Sequence, residues 1–192
     1  MKEYIQYRRE FHKYAEPSWR EVRTSARIVE ILTSMGVNQI LAGEDVISIE
    51  SVKPPVDLSE KVRKEAMARA IDEGAKEELV EDAQGYPGVI GIIRCHKPGP
   101  TFALRFDIDA LPYSEVTEKG FRPSDEGFSS VHNCVHACGH DAHTAIGLGL
   151  AREIIDHQED YCGTIKLIFQ PAEETIFGAV SIVEKGHLDD VD

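Results

Sequence analysis

The sequence predicts an α/β fold, a layered sheet flanked by helices, and three observations carry that expectation. Short apolar stretches of strand character, VIGIIR (Val89 to Arg94), TFALRFDID (Thr101 to Asp109) and GTIKLIFQP (Gly163 to Pro171), alternate with segments of helical periodicity. The residues best suited to chemistry cluster just after the second and third of these strands, and open α/β sheets bind ligands at the carboxyl ends of strands. A chain of 192 residues, 42% hydrophobic and 29% charged, is long enough to bury one core and so predicts one domain.

Taken in order, residues 3 to 14 carry Tyr4, Ile5, Tyr7, Arg8, Phe11 and His12 in a helical pattern that Glu16-Pro17 breaks. Ser18 is then expected to cap a helix from Trp19 to Met35, with Val22, Ala26, Val29, Ile31 and Leu32 largely on one side and Gly36 as its stop. From 44 to 87 the composition turns charged and helix-favouring behind Pro54-Pro55, and predicts an inserted, mostly exposed helical segment. The strands Val89 to Arg94 and Thr101 to Asp109, separated by Lys97-Pro98-Gly99-Pro100, predict a hairpin or neighbouring strands. A polar loop, a helix from about Ala142 to His157, the third strand and a helix from about Gly178 to Lys185 complete the pattern.

A formal charge of −13 argues against a nucleic-acid partner, which requires clustered Lys and Arg. No apolar run reaches the ~18 residues of a membrane helix and no signal-peptide pattern opens the chain, so no membrane partner and a cytoplasmic location are expected. The 4 cysteines form no C-x-x-C pair and no disulfide framework, so reduced thiols are expected.

The densest chemistry is H-A-C-G-H-D-A-H, His136 to His143. Cys138 and His140 stand two apart across Gly139, which lets the backbone turn so that a thiol and an imidazole, both divalent-metal ligands, converge. A helix N-terminus merely rich in histidine is the plain alternative. In Q-P-A-E-E, Gln170 to Glu174, two adjacent carboxylates repel unless a cation or proton neutralises one, although two solvated glutamates at a helix start would look the same. In R-F-D-I-D-A-L-P, Arg105 to Pro112, Asp107 and Asp109 have the spacing that puts them on one face of a strand, able to bind metal or to orient an imidazole ligand. A turn-initiating aspartate is the alternative there.

These clusters, with R-R-E-F-H-K-Y-A-E-P (Arg8 to Pro17), resemble the amidohydrolase branch of the aminoacylase/carboxypeptidase metallopeptidase family, which includes hippurate and auxin-conjugate hydrolases. The opening motif and the insertion before Gly88 look most like the subgroup containing aminobenzoyl-glutamate hydrolase A-type chains. The resemblance implies two divalent ions, zinc or manganese, with Cys138, His140 and Glu174 as ligands and Glu173 as general base. It makes Asp109 a support of the metal site and leaves Asp107, Asp141 and His143 as supporting residues or further ligands. His12 is expected to approach the substrate pocket.

The implied reaction is hydrolysis of an N-acyl or N-aroyl amino acid by a metal-activated water, in a homodimer or in a hetero-oligomer with a related chain. Family members also carry two more ligand histidines and a lid and dimerisation domain, none of which is found here. The chain is therefore expected to correspond to the N-terminal part of such an enzyme, to be inactive alone, and to show a polar, half-open sheet edge. A metal-binding or oligomerisation fragment without turnover is one rival reading. A hydrolase using Cys138 as nucleophile is another.

Overall fold

The computed structural model describes residues 2–192 and has the expected α/β layering. Helices α1 (Lys2–Lys13) and α2 (Val22–Met35) lead into β1 (Gln39–Ala42), and α3 (Glu60–Asp72) and α4 (Glu77–Asp82) precede β2 (Val89–Arg94) and β3 (Lys97–Asp107). A short α5 (Arg122–Asp125) lies in the long loop before α6 (His140–Asp156), β4 (Cys162–Gln170) and α7 (Gly178–Glu184). The sheet order is β1-β2-β4-β3, with β3 and β4 parallel and the other pairs antiparallel.

Alternation along the strands builds two apolar layers. Val89, Ile93, Ile165, Leu167 and Phe169 face a core with Phe11 of α1, Ile28, Leu32 and Met35 of α2 and Leu148 and Ile154 of α6. Ile90, Ile92 and Ile168 face the opposite layer, formed by Trp19, Val46, Ile47, Tyr86 and Ile182. Close approach shapes the first layer: a Cβ on Gly147 would stand 2.7 Å from the rings of Phe106 and Phe169, so α6 rests directly on the sheet there.

Several expectations are corrected. β2 and β3 are not neighbours, because β4 lies between them. The reason is burial: the last six residues of β4 and the first five of β2 are all buried, so these two strands occupy the centre, whereas β3 is largely exposed and takes an edge. That edge is not polar, since Phe102 and Leu104 are exposed on it.

The helix after Pro17 starts at Val22 rather than Trp19, and Ser18 does not cap it. The fully buried carboxylate of Glu16 instead accepts the N–H groups of Arg23 (3.2 Å) and Thr24 (2.8 Å), satisfying the first turn from outside the helix. Gly36 ends it in the left-handed conformation, as expected. The segment from 44 to 87 does form helices, but it is anchored: Ala66, Ala70 and Val80 pack on Val22 and Ala26 of α2, and Val46 and Ile47 are fully buried. β1 has no counterpart among the expected strands, and α6 begins at His140, earlier than Ala142.

Candidate metal centre

The parallel register pairs Phe106 with Phe169 and Asp107 with Gln170, so the chain leaves β3 and β4 at the same edge of the sheet. The N-terminus of α6 meets that edge. Gly139 precedes the helix at φ 83°, a conformation that a side chain rarely adopts, and this turn puts His140 in the first helical position beside both strand ends.

Three of the expected residues converge. One ligand atom from each of His140, Glu173 and Glu174 lies within 4.8 Å of the others, with His140 Nε2 3.8 Å from Glu173 Oε2. Asp109 organises them. His140 Nδ1 lies 2.9 Å from the Asp109 carbonyl and 3.2 Å from Asp109 Oδ1, which turns Nε2 toward the glutamates. The other carboxylate oxygen, Asp109 Oδ2, accepts the Ser18 hydroxyl (2.6 Å) and the Glu174 backbone N–H (2.9 Å). Glu174 is thus fixed through its backbone, whereas Glu173 is exposed.

Charge at the site is unbalanced. Glu174 Oε1 is buried with no hydrogen-bond partner, and so is Asp107 Oδ1, which has only the Arg105 guanidinium 3.3 Å away. Burial pulls the His140 pKa down, but the carboxylate and carbonyl of Asp109 outweigh it and raise it to about 9. Cys138 is exposed, outside the three-residue group, with its thiol pushed up to about 11, first by the Glu174 carboxylate and then by burial. Buried oxygen atoms without donors, beside a thiol and an imidazole, form a donor set that suits a divalent cation.

The remaining expected residues sit around this group. Asp107 is held by the next turn of α6: its backbone N–H donates to His143 Nδ1 (3.0 Å), and its Oδ2 lies 3.3 Å from the same nitrogen. Asp107 and Asp109 therefore engage two histidines three residues apart on one helix. Asp141 is fully buried and turns the other way, taking Arg8 Nε and His12 Nδ1, each at 2.8 Å. His12 is also buried, and its Nε2 is 2.6 Å from Glu115 Oε1, so both ring nitrogens are occupied within the protein and neither is free for a substrate.

Sequence reasoning missed Ser18 and Glu21. The fully buried Glu21 carboxylate accepts the Ala172 N–H (2.7 Å), holding the turn that presents Glu173 and Glu174, and burial followed by the Asp109 charge raises its pKa well above the usual range. Glu21 lies just beyond the Arg8 to Pro17 motif, but a partner 151 residues away leaves no local signal.

Residues 103–192 match the family model for peptidase family M20/M25/M40. A homolog, in Haemophilus influenzae, of the A-type chain of p-aminobenzoyl-glutamate hydrolase is 37% identical over 189 residues, covering 98% of this chain and 44% of that protein. The crystal structure of an aminobenzoyl-glutamate utilization protein from Klebsiella pneumoniae superposes with a TM-score of 0.80 and 38% identity, covering 100% of this chain and 42% of that one. A Bacillus subtilis protein described as a dinuclear metal binding peptidase from the M20 family gives a TM-score of 0.69 and 31% identity over 100% of this chain and 41% of that one. The chain thus spans less than half the length of these relatives.

Proposed function

The chain belongs to peptidase family M20/M25/M40, and on that premise we propose that it contributes the metal and general-base residues of an amidohydrolase acting on N-acyl or N-aroyl amino acids. The observation that carries the proposal is the His140–Glu173–Glu174 group, framed by Asp109 and containing a buried carboxylate oxygen without a donor. Cys138, His140 and Glu174 are the residues that would hold divalent ions, zinc or manganese, with Asp107 as a further donor. Such ions supply Lewis acidity and lower the pKa of water toward ~7.

The protein's own residues divide the remaining work. Asp109 fixes the ring of His140 and the backbone of Glu174 at once. Glu173, exposed beside them, takes a proton from the attacking water as the C–O bond forms at the amide carbon, and returns it to the leaving nitrogen as the C–N bond breaks. A positioned base of this kind contributes roughly 10²- to 10⁴-fold in rate. The raised thiol pKa of Cys138 is the wrong direction for a nucleophile, while a bound cation would reverse that local field.

The names of the relatives support an aroyl amino acid as substrate. One of those relatives is named for a single component of its hydrolase, which supports assembly with a related chain. The test is a pair of variants in the metal-loaded full-length protein. Glu173→Gln is expected to abolish hydrolysis of N-benzoylglutamate with metal content near normal, while Glu174→Ala loses metal as well. Equal metal loss in the two variants would show that the roles of the glutamates are reversed.

A further inference from the structure

Beside the metal centre lies a cavity of about 480 Å³ that the mechanism above does not use. Trp19, Val56, Ile176 and Phe177 supply most of its apolar wall, and Arg20 and Asp57 its polar rim. It is joined to the site through covalent neighbours and one hydrogen bond: Thr175 and Ile176 directly follow Glu174, and Ser18, also in the wall, donates to Asp109. Val56 and Asp57 come from the charged segment that precedes β2, so that segment closes a cavity next to the site.

Two details show that the wall is specifically built. Trp19 (φ 66°) and Phe177 (φ 85°) are among the few non-glycine residues with positive φ, and both line this cavity. Bulky residues adopt this conformation at a cost, and such strain concentrates at ligand sites. The Arg20 guanidinium donates one bond to the Trp19 carbonyl (2.8 Å) and makes no ion pair among the described residues, so its planar face is not committed to a carboxylate. In an acidic chain, an unpaired arginine beside aromatic walls fits an aromatic guest better than a second cation.

We propose that this cavity is the subsite for the aromatic acyl group of the substrate, with Trp19, Val56, Ile176 and Phe177 selecting a flat ring over a small alkyl group. The proposal rests on the amidohydrolase reading for its orientation, since the ring must sit next to the carbonyl attacked near Glu173. Volume agrees with this assignment: small-molecule sites span about 300–1,000 Å³, and the lower half of that range suits one or two fused rings.

Trp19 is the only tryptophan, so its emission reports on the cavity directly. Titrating the protein with benzoate or 4-aminobenzoate, excited at the red edge of the tryptophan band, is expected to change that emission saturably, and acetate is not. Val56→Phe, which fills the cavity, and Ile176→Asp, which charges a side chain that is 74% exposed and so is not needed for folding, should each abolish the response. No saturable change, an equal response to acetate, or a response that survives both variants would overturn the subsite.

A second arm uses the metal-loaded full-length protein. Val56→Phe should raise KM for N-benzoylglutamate about tenfold or more relative to N-acetylglutamate, and an equal rise for both would assign the cavity to the amino acid instead. Absence of hydrolysis of either substrate by the full-length protein would refute the amidohydrolase reading, while the fluorescence titration would still decide whether the cavity takes an aromatic ring.

Discussion

His136 makes the acid stability of the metal-free protein calculable. Its ring is 6% exposed, and both nitrogens are buried without a hydrogen-bond partner. Burial lowers its pKa from 6.5 to about 4, against the pull of Asp141 and with the help of His12 and His140. A folded pKa below the unfolded value means that the unfolded chain takes up the proton first. The stability is therefore complete above pH 6.5 and is lost as pH falls toward 4. At about 1.36 kcal/mol per pH unit, the loss reaches about 3 kcal/mol. His136→Leu removes the titration and also two nitrogens that give up water for nothing, so the variant should gain about 1 kcal/mol at neutral pH. Urea unfolding of both proteins at pH 7, 5.5 and 4 measures the difference. His12, whose pKa is raised because its two carboxylate partners outweigh burial, loses its contribution in the opposite direction, as pH rises, and is common to both proteins. Parallel stability curves would refute the reasoning, since they would mean that His136 is not held neutral by the fold.

Two further outcomes test the scaffold of the site. Asp109→Asn keeps the shape but weakens the hold on His140 and on Glu174, so metal affinity should fall about 10- to 100-fold with the fold intact, measured by competition with a chromophoric chelator; unchanged affinity would remove Asp109 from the account. Gly147→Ala should lower stability by about 1–3 kcal/mol in thermal or denaturant unfolding, because its new methyl group meets Phe106 and Phe169 at 2.7 Å. A neutral result would mean that α6 can lift off the sheet.

What was legible in the sequence was the chemistry that sits in short motifs. His140, Glu173 and Glu174 were found because adjacent carboxylates and a glycine-spaced Cys-x-His are unusual in so few residues, and the fold does bring those three together. The strand order was not legible, because VIGIIR and TFALRFDID are close in sequence and nothing local says that a strand formed much later in the chain inserts between them. The cap of α2 was missed for a similar reason. Ser18 has the right residue type, but it is drawn to Asp109, and Glu16, two residues earlier, reaches the helix instead.

The same short segment explains how the site is held together. Between α1 and α2, Glu16 caps the helix, Ser18 holds Asp109, Trp19 walls the cavity, and Glu21 holds the turn before Glu173. Each of these side chains reaches a different element, so moving any one of them strains the others. That over-determination is what allows a tryptophan to persist at φ 66° and a glutamate to stay fully buried. It also links recognition to chemistry: a ring filling the cavity presses on Ser18 and Trp19, and Ser18 is one hydrogen bond from the aspartate that aims His140 and secures Glu174. An acyl group that fits would tighten the geometry on which the base and the metal ligands depend, and so discrimination between acyl groups should fall on kcat as well as on KM.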